Sequence, residues 1–231
     1  MKKAATSGGT EQTRIYLAGQ RGCTQTLQHR NFHTFDFGGY TGVSRGAFHI
    51  LQTLNDETLA PGETVSYRTQ TDGLVAMIPL VGACRCSIGT KDHMPDAGQV
   101  LVAPIRQGDT LTFQNPYADE HINYLTLEIR ETTTLQTALT DVDLGNSYNT
   151  LHHVEVSPAC EILLGVFLGR EEVSLPFPPP GKDTFVFVLE GAFEVNNRLL
   201  HRRDGLALPH CVQLECEALS NHAMILAVTL G

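Results

Sequence analysis

The sequence predicts an all-β fold in which two similar jelly-roll barrels follow one another along the chain. Short β-rich runs recur every eight to twelve residues and are bounded by Gly, Pro, Asn or Asp, a spacing typical of sandwiches and barrels. The phrase TFVFVLEGAFEV in the second half matches LVAMIPLVGACRCS in the first, since each is an apolar strand, a glycine and a shorter strand. Their glycines, Gly82 and Gly191, are about 110 residues apart, which indicates an internal repeat.

The first half is predicted to contain a series of short strands that follow an aromatic run, FHTFDFGGY. Asn55-Asp56-Glu57 is predicted to be a polar turn, and Pro61-Gly62 is a turn of the type with proline first and glycine next. The helix candidate is Thr132–Leu139, whose threonines are poor helix formers. The predicted strands are Gly46–Leu54, Glu63–Gln70, Gly73–Val81, Ala83–Ile88, Gln99–Ala103, Thr110–Gln114 and Asn123–Ile129.

The second half repeats this pattern. Its predicted strands are Ala159–Leu168, Glu172–Leu175, Thr184–Leu189, Ala192–Val195, Leu206–Leu208, Val212–Cys216 and Met224–Leu230. We therefore expect a partly flexible N-terminal segment over 1–31, a first barrel over 32–130, a linker over 131–150 and a second barrel over 151–231. A closed barrel of this size has an interior for one small ligand, and its mouth is the natural place for a site.

The composition argues against several classes of protein. A hydrophobic content of 42% with 18% charged residues is ordinary for a globular protein, and no run approaches the roughly 18 apolar residues of a membrane span. The first ten residues contain two lysines without an apolar core, so we expect no signal peptide and a cytoplasmic location. The net charge is −9 and the nearest basic cluster is only His201-Arg202-Arg203, which predicts no direct nucleic-acid or membrane binding.

The six cysteines are predicted to be mainly buried thiols. Cys84 and Cys86 are two residues apart on a predicted strand, so their side chains share a face, and Arg85 points away from them. Two small hydrophobic residues on an inward face is one interpretation. A redox pair, a soft-metal site or a sensor that also uses Cys23 is the alternative.

The glycine spacing resembles that of a cupin barrel. Gly62, Gly82 and Gly98 are separated like the glycines of the metal-binding cupin motifs. Together with FHTFDFGGY, Leu54-Asn55-Asp56, LAPG at 59–62 and the Val81-Gly82 hairpin, they resemble the pirin family of bicupins over residues 32–231. The resemblance implies two stacked cupin barrels, also called double-stranded β-helices or RmlC-like jelly rolls, with a divalent metal in the first. Some family members are dioxygenases that cleave flavonols, and others are transcriptional co-regulators.

The family's metal-ligand positions are substituted in this sequence. Counting from Gly62, the two histidines of the family fall at Arg68 and Gln70 and the glutamate of the cupin motif at Val75; counting from Gly98, the later His and Glu fall near Leu111 and Phe113. Arginine stays protonated, and the apolar side chains have no donor atom, whereas a non-haem iron site needs several nitrogen or carboxylate ligands. The resemblance therefore implies the pirin-like subgroup that lacks the metal site.

The second barrel leads to the same expectation. Its corresponding positions lie near Phe177, Pro179 and Thr184, where FPPPG replaces a His-x-His strand. We expect no metal and no cofactor in either barrel. The ten histidines of the chain are interpreted as surface or turn residues, with His210 near a barrel mouth.

Arg68 is the leading candidate for a ligand-binding residue. An inward-facing arginine on an apolar wall needs a partner, which could be Asp72, Glu120 or the carboxylate of an anionic ligand. Gln70 could add hydrogen bonds, whereas Tyr67 is expected on the opposite face of a regular strand. The alternative is a solvated Arg68 at the barrel rim.

Three functions follow from these observations. The first is a metal-free, non-catalytic pirin-like protein that binds a small organic ligand or a protein partner and acts in regulation. The second is a metal-dependent dioxygenase of the flavonol-cleaving, quercetinase type. The third is a cysteine-based redox sensor. Metal content distinguishes the first two, and thiol reactivity distinguishes the third.

Overall fold

The computed structural model describes residues 12–37, 41, 45–131, 135–176 and 181–231. In these residues the regular structure is β-strand apart from one 3₁₀ turn at Ala18–Gln20, so the all-β prediction is confirmed. No helix in the described ranges is long and apolar enough to cross a membrane. The strands are β1 (Arg14–Tyr16), β2 (Gly22–Gln25), β3 (His29–His33), β4 (Leu51–Leu59), β5 (Thr64–Arg68), β6 (Gly73–Val81), β7 (Arg85–Ile88), β8 (Lys91–His93), β9 (Gln99–Ile105), β10 (Thr110–Gln114), β11 (Ile122–Ile129), β12 (Ala138–Asp141), β13 (His152–Ser157), β14 (Cys160–Phe167), β15 (Glu172–Pro176), β16 (Lys182–Glu190), β17 (Ala192–Val195), β18 (Arg198–His201), β19 (Gly205–Cys211), β20 (Gln213–Ala218) and β21 (Ala223–Leu230).

The first barrel consists of two antiparallel sheets that face each other. The broad sheet has the strand order β12-β9-β6-β11-β4-β3-β2, and the narrow sheet has the order β5-β10-β7-β8. Gly62 and Gly82 stand at the turns around β5 and β6 with φ values of 69° and 70°, a conformation that glycine adopts without steric cost. These turns are the ones that the Pro-Gly and Val-Gly dipeptides predict.

The second barrel repeats this arrangement and includes a strand from the N-terminal segment. Its broad sheet has the order β1-β19-β16-β21-β14-β13, and its narrow sheet the order β15-β20-β17-β18. Strand β1 pairs with β19, so that Ile15 lies opposite Leu206. Among the described residues, the first strand thus belongs to the second barrel. Strand β12, in the predicted linker, pairs with β9 of the first barrel.

The two broad sheets pack against each other and form a third apolar core between the barrel interiors. In β6, Leu74 and Ile78 belong to this shared core, whereas Val75 and Met77 line the interior of the first barrel. This division follows from the alternation of side chains along a strand. Phe185 in β16 makes aromatic contacts with side chains from near the N-terminus: its ring centroid is 5.3 Å from Tyr16 and 5.1 Å from Phe35.

The structure corrects the prediction for Asn55-Asp56-Glu57. These residues are not a turn but the middle of β4, and all three are buried. The predicted strand at Gly46–Leu54 is displaced, because β4 begins only at Leu51 and continues to Leu59. The polar residues tolerate this burial because hydrogen-bond partners come from β3, β11 and the N-terminal segment.

The predicted helix at Thr132–Leu139 is also wrong in the part that the structure describes. Residues 132–134 lie outside the described ranges, and the end of the candidate enters β12, which begins at Ala138. Residues 38–40 of the aromatic run and 177–180 of FPPPG also lie outside the described ranges.

Candidate functional site

The predicted site residues do not come together in one pocket. Arg68 ends β5 with an exposed side chain, and Gln70 is exposed beyond it, with its amide donating to the Arg68 carbonyl oxygen at 3.0 Å. Leu111 and Phe113 are fully buried in the first barrel, as is Val75. The polar positions thus face solvent while the apolar ones fill the interior.

Strand β5 turns Tyr67 toward the barrel interior and Arg68 toward solvent. Tyr67 packs against the interior cluster of the first barrel, whereas Arg68 is exposed. Pairing with β10 places Tyr67 opposite Leu111 and Arg68 opposite Thr110 at the rim. Of the two orientations considered for Arg68, the structure shows the solvated one at the barrel rim, because the alternation of the strand turns its guanidinium outward.

The residues at the cupin ligand positions do not fit a metal ion. An exposed guanidinium, an exposed amide and the apolar side chains of Val75, Leu111 and Phe113 supply no set of anionic or imidazole donors. In the described part of the chain, no group of three or more His, Cys, Asp or Glu side chains is arranged to hold one. In the second barrel, Thr184 is buried, and the other two predicted positions lie outside the described ranges.

The two cysteines of β7 and its leading turn lie in the first barrel's interior. Cys84 and Cys86 are fully buried, and both belong to the apolar cluster that contains Phe113. Burial raises the pKa of Cys86 to about 12 and that of Cys84 still further. Both are neutral thiols at neutral pH, and the thiolate needed for redox or metal chemistry is not populated. Cys23 is the exposed cysteine.

A buried polar cluster occupies one wall of the first barrel's interior. Its members lie on β3, β4, β5 and β11, and alternate along each strand with side chains of the opposite face. Antiparallel pairing sets Asn31 opposite Glu57, and Glu57 opposite Tyr124. This group, the Glu57 cluster, consists of His29, Asn31, His33, Asn55, Glu57, Tyr67, Tyr124, Thr126 and Glu128.

Glu57 is the centre of this cluster and is fully buried. The Thr126 hydroxyl donates to its Oε1 at 2.8 Å, and His29 Nε2 lies 2.9 Å from its Oε2. The Tyr124 hydroxyl makes a longer contact of 3.4 Å to the same Oε2. A carboxylate with a hydroxyl donor and an imidazole partner can be buried because each oxygen is hydrogen-bonded.

Glu128 is a second carboxyl group in the same interior. Burial, and then the charge of Glu57, raise its pKa to about 7. Its side chain is 4% exposed, and its backbone N–H donates to the Thr53 hydroxyl at 3.0 Å. A carboxyl group with a pKa raised into this range carries a proton in part of the molecules near neutral pH, and the protonated form can donate a hydrogen bond.

His33 is a buried neutral histidine and not a surface residue as predicted. Its Nδ1 lies 3.1 Å from Asn55 Oδ1, and its Nε2 lies 2.9 Å from the Thr24 hydroxyl. Burial lowers the pKa of His33, so one ring nitrogen carries the proton and the other accepts. His29 is half-buried beside Glu57, which also departs from the surface interpretation, whereas His210 is exposed.

Three polar atoms of the cluster are buried without a hydrogen-bond partner in the described structure. They are Asn31 Oδ1, Asn55 Nδ2 and the Tyr67 hydroxyl oxygen. Buried polar groups in native proteins are nearly always paired, with protein or with water, and an unpaired one costs roughly 1–3 kcal/mol. One amide oxygen, one amide nitrogen and one phenol hydroxyl therefore mark a place where a water or a bound molecule can supply the missing partner.

Aromatic rings line the cluster on one side. Phe37 meets Tyr67 edge-on at 5.5 Å between ring centroids, Tyr67 stacks with Phe113 at 5.6 Å, and Phe113 stacks with Tyr124 at 5.3 Å. His33 also stacks with Phe37, at 5.1 Å. Burial, and then Glu57, raise the pKa of Tyr67 well above its ordinary value, so its hydroxyl stays protonated. The site therefore combines an aromatic wall with neutral hydrogen-bonding groups and a negative charge.

The sequence comparison covers the second barrel. Residues 152–230, which contain β13 to β21, match the family described as "Quercetinase C-terminal cupin domain". No curated protein sequence matches this chain.

Solved structures share the fold over nearly the whole chain. The crystal structure of YhhW from Escherichia coli is 16% identical, has a TM-score of 0.81 and is matched over 95% of this chain and 98% of that chain. YhhW described as a bacterial pirin in complex with nickel(II) gives 17% identity, a TM-score of 0.80 and coverage of 95% and 99%. A quercetin 2,3-dioxygenase from Acinetobacter baumannii gives 13% identity, a TM-score of 0.67 and coverage of 94% and 85%. These likenesses establish the tandem cupin fold.

Proposed function

We propose that this chain, a bicupin of the pirin family, binds a small organic ligand in the Glu57 cluster without a cupin-type metal. The family assignment rests on the match over residues 152–230 together with the shared fold. The observation that carries the proposal is the set of three unpartnered polar atoms on Asn31, Asn55 and Tyr67 inside one barrel. The substituted ligand positions support the metal-free part.

The chemistry of the cluster selects its ligand. Asn55 offers an N–H donor, Asn31 offers a carbonyl acceptor, and the Tyr67 hydroxyl can do either. Glu57 supplies a buried negative charge, which disfavours an anionic ligand beside it. The aromatic wall favours a flat ring. We propose a neutral hydroxylated aromatic molecule as the ligand class.

Tyr67→Phe tests this proposal because it removes one unpartnered hydroxyl. The variant should keep most of the stability of the original chain, since the Tyr67 hydroxyl has no well-formed hydrogen bond and only a weak interaction with Thr126 in the folded protein, while its affinity for the ligand should fall by about tenfold. Catechol and quercetin serve as small and large neutral polyphenol probes in calorimetric titrations. Native mass spectrometry of the purified chain checks for a ligand that copurifies.

Tyr117→Phe is the matched control. The Tyr117 hydroxyl accepts from the backbone N–H of Ala83 at 2.9 Å, so this variant should lose stability and keep probe affinity. A Tyr67→Phe variant that binds both probes as well as the original chain, or an original chain that binds neither, contradicts the proposed site.

The second candidate function is a metal-dependent dioxygenase. The description of the C-terminal match and the quercetin 2,3-dioxygenase among the similar folds favour it. Elemental analysis of untagged protein purified without chelator, before and after addition of iron(II), separates the two functions. A stoichiometric metal refutes the metal-free proposal and directs the search to the histidine and carboxylate donors of the Glu57 cluster, His29, His33 and Glu57.

We also propose a regulatory role, in which occupancy of the ligand site changes the interaction with a protein partner. A redox sensor is the least supported of the three functions, because the pKa values of the buried thiols at Cys84 and Cys86 are raised. Mass spectrometry after mild peroxide treatment should leave both residues unmodified. Their oxidation in the folded protein would restore the redox interpretation.

A further inference from the structure

A cleft between the two barrels carries an unusual concentration of arginine. It has a volume of about 390 Å³, and its lining includes four arginines and two carboxylates. The chain as a whole has a net charge of −9, so a local excess of positive charge stands out. This arginine cleft is defined by Arg21, Arg30, Phe32, Asp56, Arg202 and Arg203.

Asp56 links arginines from two parts of the chain. Its Oδ2 lies 3.1 Å from Arg21 Nη1 and 3.5 Å from Arg203 Nε. Glu190 in turn lies 2.9 Å from Arg202 and 3.7 Å from Arg203. Two carboxylates thus serve three arginines, and their charge is insufficient to neutralise them.

Arg203 lines the cleft and has a strained backbone. Its backbone φ is 67°, a left-handed conformation that costs a non-glycine residue about 1 kcal/mol or more. The residue is 9% exposed, and its Nη1 is buried without a hydrogen-bond partner. Its Nη2 donates to Asn123 Oδ1 at 3.3 Å and its Nε lies 3.5 Å from Asp56. Two of the three guanidinium nitrogens therefore have partners in the first barrel, and in the described structure Nη1 has none.

Arg30 adds the fourth positive charge on the open side. Its guanidinium packs over the Phe32 ring at 5.3 Å, and Arg21 packs over the same ring at 4.6 Å. In the described structure Arg30 makes no ion pair. Leu80 and Met224 supply apolar wall from the two barrels. A planar group would meet both arginine and apolar surface there.

We propose that the arginine cleft is a second ligand site, which binds a small organic anion with a carboxylate or phosphate head and an apolar body. The head group accepts from the exposed guanidinium groups of Arg30 and Arg202, since guanidinium groups bind such oxyanions with paired N–H donors. The enclosed guanidinium of Arg203 adds positive charge behind them. The body packs on Phe32, Leu80 and Met224. Because the cleft joins the barrels, an occupied site holds their relative position.

Calorimetric titration with three naphthalene probes tests the proposal. The probes are 2-naphthoate, 2-naphthyl phosphate and neutral 2-naphthol, which share one apolar body. We expect at least one anionic probe to bind about tenfold or more tightly than 2-naphthol, and the tighter of the two identifies the head group. Added salt should weaken that binding.

The variant Arg30→Gln/Arg202→Gln removes two exposed charges and leaves the buried Asp56 network in place. It should lower the affinity for the better anionic probe by about tenfold. The matched control is Arg85→Gln/Arg106→Gln, which removes two exposed charges that are not part of the cleft lining and should leave affinity unchanged.

The outcomes separate this site from the Glu57 cluster. Tyr67→Phe should not alter the affinity for the anionic probe. A chain that does not bind polyphenols would contradict the site in the Glu57 cluster and not the site in the arginine cleft. Equal affinity for 2-naphthol and both anions, no binding of either anion at millimolar concentration, or an equal loss in both double variants overturns the proposal.

Discussion

Replacement of Glu128 by glutamine should change the pH dependence of stability in a defined direction. Glu128 has a folded-state pKa of about 7 against an ordinary value of 4.5. Between these values the unfolded chain loses the proton that the folded chain keeps, so the free energy of unfolding falls as the pH rises from about 4.5 to about 7. A difference of this size corresponds to about 3 kcal/mol.

Glu128→Gln removes the titrating group and keeps the shape of the side chain. The variant should lack this loss, so its stability relative to the original chain should rise by about 3 kcal/mol between pH 4.5 and pH 8. Urea unfolding at fixed ionic strength across pH 4.5 to 8 measures the difference, and an unchanged m-value confirms that the same surface is exposed on unfolding.

Glu155→Gln is the control for this experiment. Glu155 is exposed on β13, so its variant and the original chain should show parallel stability curves. Parallel curves for Glu128→Gln as well would refute the reasoning, because they would show that the carboxyl group ionises as easily in the folded protein as in the unfolded chain.

Two further predictions concern the thiols and the ion-pair network. Of the six cysteines, Cys23 is the exposed one, so Ellman's reagent should titrate one thiol in the folded protein and six after unfolding; a second fast thiol would contradict the burial of the others. Asp56→Asn should lower the free energy of unfolding by about 3 kcal/mol or more, because it leaves buried arginines without their carboxylate. Glu217→Gln breaks a more exposed pair and should cost less than about 1 kcal/mol; equal losses in urea unfolding would contradict the importance of the Asp56 network.

Local sequence pattern predicts the strands that have an apolar face and a glycine or proline boundary. Gly73–Val81, Thr110–Gln114 and Ala192–Val195 are predicted with the bounds that the structure shows. In each, side-chain alternation and turn residues point to the same element. Strands without such agreement, such as β2 and β18, are not found from the sequence.

Strand β4 shows why the candidate site could not be predicted from the sequence. Asn55 and Glu57 have the composition of a turn, but they are stable in a buried strand because partners arrive from far along the chain. The Thr126 hydroxyl that binds Glu57 is 69 positions away. The alternation of Thr126 and Glu128 with leucines in β11 does indicate a polar face, but alternation alone assigns such a face to solvent.

In strand β5, the motif spacing and the hydrophobic alternation favour opposite orientations of the side chains. The family frame places Arg68 at a ligand position, which would turn it inward, whereas the other orientation considered from the sequence is a solvated Arg68 at the barrel rim. Within the strand, Val65 and Tyr67 alternate with Ser66 and Arg68, and this local pattern favours Tyr67 inside. The hydrophobic alternation decides the phase, because exposing Val65 and Tyr67 while burying the guanidinium of Arg68 would be costly.

The Glu57 cluster and the substituted ligand positions both concern how a barrel interior is filled when it holds no cupin-type metal. A barrel interior without a metal ion must either be filled with apolar side chains or satisfy its polar groups in another way. Leu111 and Phe113 fill the side where the family's later ligands fall. Glu57 finds hydrogen-bond partners on β11 and β3, but the side-chain nitrogen of Asn55 and the hydroxyl of Tyr67 make no well-formed hydrogen bond with any protein atom of the described ranges. Water or a bound molecule can fill such a gap, which lies beside the ring stack of Tyr67, Phe113 and Tyr124. An aromatic ligand with hydroxyl groups meets both the apolar wall and the unpaired atoms.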